Sequence, residues 1–180
     1  MVAGVPTTFG SGPVELTFPM DSNVVAAMRA AGLVFIGKTN TPEFGFPCYT
    51  EPDVAPPART PWDLSRSAAG SSGGAAAAVS SGLAPIAQRS DGGGSIRLPS
   101  SVCGLVGIKT SRGRVSNGPL GEPIGDLAVY GPLARNVRDA AACLDVMAVP
   151  FPDDSRPTPR EPEGFLAAAD RDPGRLRIGF

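Results

Sequence analysis

Residues 70–97 read Gly70-Ser71-Ser72-Gly73-Gly74, then "AAAAVSSGLAPIAQR" (75–89), then Ser90-Asp91-Gly92-Gly93-Gly94-Ser95-Ile96-Arg97. Two Ser/Gly clusters flank an alanine run and an apolar stretch. Alanine is the best helix former, so 75–81 predicts a helix that Gly82 closes. The segment "LAPIAQ" (83–88) predicts a strand, with the glycine run and Ser95 at its end. Ser71 and Ser95 are 24 residues apart. A helix followed by a returning strand brings both clusters to one end of a sheet, where α/β enzymes place their sites.

The chain outward from this unit supports the same class. Asp21 or Ser22 can cap a helix over "NVVAAMRAAG", with Val24, Val25, Met28 and Ala31 on one face and Gly32 as the stop. "LVFIGK" (33–38) predicts a buried strand. Residues 1–20 predict irregular structure. Residues 40–69 carry prolines at 42, 47, 52, 56, 57 and 61 and predict a long loop, a feature that tends to be functional. "VCGLVGIK" (102–109) predicts a buried segment. Asn136 can cap a helix over 137–148, with Val137, Ala141, Leu144 and Ala148 on one face. Residues 150–174 are a proline-rich connection containing a short helix at 165–169, and "RLRIGF" (175–180) alternates like a strand. The expected fold class is therefore α/β, a mixed twisted sheet covered by helices, in one domain over 1–180.

Composition narrows the function. Charged residues are 18% of the chain and formal net charge is −1, with no basic stripe to point to nucleic acid or anionic lipid. No apolar run reaches the ~18 residues of a membrane span, and the N-terminus lacks the pattern of a signal peptide. Three scattered cysteines (48, 103 and 143) and no histidine offer no metal-ligand spacing, and reduced thiols suit a cytoplasmic location. Neither GxxxxGK[ST] nor GxGxxG occurs, so no nucleotide cofactor is expected.

Three glycines before Ser95 allow backbone N–H groups to converge on an anion or a developing oxyanion. That makes Ser95 a candidate nucleophile, while the usual base, histidine, is missing. Taken singly, each cluster reads more readily as a turn than as a site, and together they could form an anion-binding nest.

The stretch "GSSGGAAAAVSSGLAPIAQRSDGGGSIRLPSSVCGLVGIKTSRGRVS", with "AAGLVFIGKTNTPEFG" upstream and "GPLARNVRDAAACLDVMA" downstream, resembles the amidase signature family over about residues 20–148. The "DGGGS" and "SRGRVS" variants are most similar to general amidases of the aryl-amide and 6-aminohexanoate-cyclic-dimer hydrolase type. The resemblance implies hydrolysis of a small-molecule amide through an acyl-enzyme, without a cofactor, by a Ser-cisSer-Lys arrangement. It implies Ser95 as nucleophile and Ser71 as the bridging serine on a cis peptide bond. Gly92, Gly93, Gly94 and Ser95 would donate N–H groups to the oxyanion. Ser72, Asp91 and Arg97 would form a supporting polar network. Cys103 reads as a small buried hydrophobe. The family's lysine precedes a segment like "AGVPTTFGS", which here begins at residue 3; neither Lys38 nor Lys109 matches it. The chain is thus expected to be an internal piece of an amidase, with weak activity alone. An inactive fragment or an anion-binding remnant is the alternative.

Overall fold

The computed structural model describes residues 1–121, 125 and 127–179. Its sheet order follows from three strands, β5 (Ile86–Asp91), β6 (Val106–Gly107) and β7 (Val129–Ala134). β7 lies between the other two and pairs antiparallel with both. The β5–β7 register runs from Ile86 opposite Ala134 to Asp91 opposite Val129. Leu133 and Ala134 are fully buried at the centre of this sheet.

Helices cover it in two apolar clusters. One joins α1 (Asn23–Ala30) to α4 (Val137–Met147) through Val24, Val25, Met28, Cys143, Leu144 and Met147. The other joins α2 (Gly73–Ser80) and α3 (Arg97–Cys103) to β7 through Ala75, Ala76, Ile96, Cys103 and Leu133. Two short antiparallel pairs complete the described residues, β1 (Pro6–Thr7) with β2 (Leu16–Thr17) and β3 (Arg59–Thr60) with β4 (Asp63–Ser67). A helix α5 spans Phe165–Asp170. The α/β class stands, and the strand pairings among the described residues are antiparallel. No helix among the described residues is long and apolar enough to cross a membrane.

Caps explain where the helices begin and end. Asn136 accepts a hydrogen bond from the Asp139 N–H at 2.8 Å, as an N-cap should. α1 starts after Ser22, whose hydroxyl makes no cap bond and instead contacts Met1. α2 stops at Gly82, which takes a left-handed φ of +83°. There the Leu83 and Ala84 N–H groups both turn back to the Ala78 carbonyl. This hook occupies residues 82–84, so β5 begins at Ile86 and not at Leu83.

Several expectations are corrected. Residues 33–38 form no strand: Leu33 and Phe35 pack on the first cluster, while Val34 and Ile36 are exposed. Residues 175–179 are likewise exposed and irregular, and Phe180 lies outside the described residues. The first is an apolar run and the second alternates, as strands do, but neither has a partner strand among the described residues. Val102 is exposed, so 102–109 is only partly buried. Ala31 is exposed at the end of α1, and Val137 at the start of α4. Residues 1–20 and 40–69 contain the short strand pairs that the prolines concealed.

Candidate active site

The two Ser/Gly clusters meet. Ser71, at the entrance to α2, and Ser95, between β5 and α3, line one cleft of about 290 Å³. Ser71 is 7% exposed, whereas Ser95 is half-buried. The peptide bond between Gly70 and Ser71 is cis, the geometry that the resemblance implies for this serine. The Ser71 Oγ lies beside Gly45. Neither hydroxyl hydrogen-bonds to the other or to any described residue.

Asp91 organises the loop that carries Ser95. Its carboxylate is 1% exposed and accepts five hydrogen bonds. Oδ1 accepts from the Gly94 N–H at 2.8 Å and from Arg97 Nη2 at 3.0 Å. Oδ2 accepts from the N–H groups of Ile96 and Arg97 and from Arg97 Nε. The carboxylate thus ties together both sides of Ser95. Burial alone would raise its pKa, but the guanidinium and the backbone donors outweigh that and hold it below the usual carboxylate value. Asp91 in turn raises the pKa of Arg97.

This arrangement sorts the backbone donors. Gly94 has committed its N–H to Asp91. Gly92 and Gly93 are exposed, line the cleft and have no hydrogen-bond partner among the described residues. Ser72 is buried as the residue preceding α2 and does not line the cleft; its carbonyl accepts from the Ala76 N–H. Cys103 is fully buried in the second apolar cluster, and burial pushes its thiol pKa up.

Thr50 is a positioning residue that sequence reasoning missed. Fully buried, its hydroxyl donates to the Ala69 carbonyl at 2.9 Å and accepts from the Gly73 N–H at 3.1 Å. It therefore clamps the chain on either side of Ser71. The glycines of this cluster answer to the same packing. A Cβ at Gly70 would come within 2.7 Å of the Tyr49 backbone, and one at Gly74 within 2.5 Å of the Asn40 carbonyl. The proline-rich segment is thus a brace around the first cluster.

The remaining cleft wall is apolar. A turn at Glu43–Gly45 is held by the Phe44 N–H to the Phe9 carbonyl and by the Ser11 hydroxyl to the Glu43 carboxylate, both at 2.7 Å. Phe44 in this turn and Phe46 just after it line the cleft together with Leu98 and Leu127. The exposed Cys48 thiol lies on the same rim. No charged side chain lines the cleft among the described residues. Lys38 Nζ donates to the Pro6 carbonyl and the Thr7 hydroxyl, and Lys109 Nζ to the Thr110 carbonyl. No group of three or more His, Cys, Asp or Glu side chains is placed to hold a metal among the described residues.

Comparison with known proteins gives this geometry a family. The chain is 46% identical over 162 residues to 6-aminohexanoate-cyclic-dimer hydrolase of Paenarthrobacter ureafaciens, covering 88% of this chain and 33% of the relative. It is 42% identical over 180 residues to an acylamidase of Rhodococcus erythropolis, covering 99% and 38%. The solved structure of 6-aminohexanoate cyclic dimer hydrolase complexed with substrate superposes with a TM-score of 0.85 at 44% identity, covering 91% of this chain and 34% of that one. The chain thus spans little more than a third of the length of the curated relatives it matches. The family model described as Amidase matches residues 1–180, and the chain belongs to that family.

Proposed function

We propose that this chain carries the nucleophile-bearing part of an amide hydrolase acting on small, uncharged amides. The observation that carries the reading is the convergence of Ser71 and Ser95 on one cleft whose lining has unpaired N–H groups and no charged side chain among the described residues. A phosphate or other anion would meet backbone dipoles and serine hydroxyls there but no cationic side chain among the described residues, which disfavours the anion-nest alternative. A neutral amide gains apolar contact with Phe44, Phe46, Leu98 and Leu127 and develops negative charge only as it reacts.

In this reading Ser95 Oγ attacks the amide carbonyl carbon and gives its proton to Ser71. The carbonyl π pair moves to oxygen, which the Gly92 and Gly93 N–H groups stabilise, with the Ser95 N–H as a third donor. Collapse expels the amine, which receives a proton back through Ser71. Water then attacks the acyl-Ser95 ester and releases the carboxylic acid. Ser71 relays protons and needs a terminal acceptor, which by resemblance to the family is a lysine; Lys38 and Lys109 are engaged away from the cleft. Asp91, clamped by Arg97, keeps the Ser95 loop in shape, and Thr50 does the same for Ser71.

The test is acylation by p-nitrophenyl acetate, whose good leaving group reduces the demand for base catalysis. The expected result is a burst of nitrophenol near one equivalent per chain, with an acetyl group on Ser95 by peptide mass spectrometry. Loss of the burst in Ser95→Ala supports the reading, and an unchanged burst in that variant refutes it.

A further inference from the structure

The two serines divide the cleft into two sides. Gly45 marks the side of Ser71: a Cβ there would stand 3.6 Å from the Ser71 Oγ and meet nothing else but the Ser71 Cβ at 4.0 Å. The space beside the Ser71 hydroxyl is therefore open, and Phe44 and Phe46, the chain neighbours of Gly45, line the cleft around it. Leu98 and Ala128 mark the side of Ser95. A Cβ at Gly94 would come within 3.0 Å of the Leu98 side chain, and one at Gly92 within 3.8 Å of Ala128. Leu127, next to Ala128, lines the cleft as well.

On the acyl-transfer reading of Ser95 and Ser71, chemistry gives each side a role. As the C–N bond breaks, its electron pair stays on nitrogen, which takes a proton from the Ser71 hydroxyl. The carbonyl carbon keeps its bond to Ser95 Oγ. The leaving nitrogen must then lie within hydrogen-bond reach of Ser71, beside Gly45. The substituent on that nitrogen extends over Phe44 and Phe46, and the acyl chain takes the side of Leu98 and Leu127.

Phe44 is held there in an uncommon backbone state. Its φ is +51°, a left-handed conformation that bulky side chains rarely adopt and that glycine takes freely. Its N–H donates to the Phe9 carbonyl at 2.7 Å, the Gly45 N–H donates to the Pro42 carbonyl at 3.0 Å, and the Ser11 hydroxyl donates to the Glu43 carboxylate at 2.7 Å. A Cβ at Gly10 would come within 2.5 Å of the Thr41 carbonyl, so the turn after β1 packs tightly against this one. The Phe44 ring is 52% exposed, so core burial does not account for an aromatic residue at this φ. Strain of this kind gathers where a side chain has to be aimed.

We propose that Phe44 is a specificity-determining residue for the leaving amine. Its ring, with Phe46 beside it, forms a subsite for a flat, neutral amine portion on the Ser71 side, and Gly45 leaves room for the nitrogen. Flat rings gain offset or edge contacts with the two phenyl groups that a compact aliphatic group does not.

The experiment measures the rate of Ser95 acylation in the full chain by peptide mass spectrometry with three donors. They are phenyl acetate, hexafluoroisopropyl acetate, whose leaving alcohol is of similar acidity but not flat, and phenyl butyrate. The first two differ on the leaving side, the first and third on the acyl side. Phe44→Gly, which suits the left-handed φ, is expected to lower the phenyl-to-hexafluoroisopropyl rate ratio at least about fivefold and to keep the acetate-to-butyrate ratio within about twofold of wild type. Leu98→Ala is expected to do the reverse. Phe46→Ala should shift the leaving-group ratio in the same direction as Phe44→Gly, and supplies the reading should that variant fail to fold. Ratios within one variant cancel any general loss of active protein. A leaving-group ratio unchanged in Phe44→Gly, or a shift of the acyl ratio in its place, overturns the proposal and leaves Ser95 as the nucleophile. Absence of Ser95 acylation by every donor overturns the proposal together with the acyl-transfer reading.

Discussion

Replacing Asp91 with alanine should unmake the Ser95 loop, and the size of the effect follows from its partners. The carboxylate is 1% exposed and is the only acceptor found among the described residues for the N–H groups of Gly94 and Ile96, which are both buried. Each buried donor left without an acceptor costs ~1–3 kcal/mol. Arg97 is 56% exposed and recovers hydration when its partner is lost, so it adds little. Relief from burying a carboxylate offsets part of the loss. The net destabilisation is about 2–4 kcal/mol, a fall of roughly 1–2 M in the urea midpoint for a chain of this size. Arg97→Ala should shift the midpoint much less, because the carboxylate keeps its backbone donors. The loop also aims Ser95, so acylation of Ser95 in Asp91→Ala should slow by about 10²-fold even under conditions where the variant is folded. The pH dependence has a fixed sign. The folded pKa of Asp91 is below its unfolded value of about 3.9. Its contribution is therefore fully present above about pH 4 and is lost as pH falls through the lower, folded pKa. Wild type should lose stability over that acid range more steeply than Asp91→Ala. The reasoning is refuted if the urea midpoint of Asp91→Ala lies within about 0.2 M of wild type near neutral pH.

Other outcomes follow from the same geometry. Thr50→Val removes the acceptor for the buried Gly73 N–H and should cost about 1–3 kcal/mol in urea unfolding, while Thr50→Ser should retain most of the stability. Gly74→Ala would force a Cβ to within 2.5 Å of the Asn40 carbonyl, so its thermal midpoint should fall and Ser95 acylation should slow with it. Among the three thiols, iodoacetamide at pH 8 should alkylate the exposed Cys48 and spare Cys103 and Cys143, the latter pushed up to about 11 by burial; mass spectrometry should show all three modified only in denaturant. Alkylated Cys48 should also hinder acylation of Ser95, since it stands on the cleft rim.

Some of this architecture could be read from local chemistry. Asn136 announces α4 because its cap bond is made within three residues of itself. The alanine run and Gly82 announce α2 for the same reason. The encounter of Ser71 with Ser95 was legible because a helix and a strand of fixed length separate them. Strands depend on distant partners, and there the sequence misled. "LVFIGK" is a continuous apolar run and "RLRIGF" alternates, both strand-like patterns, yet no described strand lies beside them. Thr50 was invisible for a related reason. Within a proline-rich loop nothing distinguishes it from its neighbours until the fold brings it against Ala69 and Gly73. The role of Gly94 depended on a single side chain. Three consecutive glycines suggest three equivalent donors, but Asp91 captures one of them.

The claim that Ser95 is the nucleophile of a cleft it shares with Ser71 is tested most directly by labelling the full chain with a fluorophosphonate and mapping the adduct by peptide mass spectrometry. The account predicts one phosphonyl group per chain, carried by Ser95, abolished in Ser95→Ala and slowed at least about tenfold in Ser71→Ala through loss of the proton relay. A stoichiometric adduct on another serine, or labelling that persists in Ser95→Ala, would contradict it.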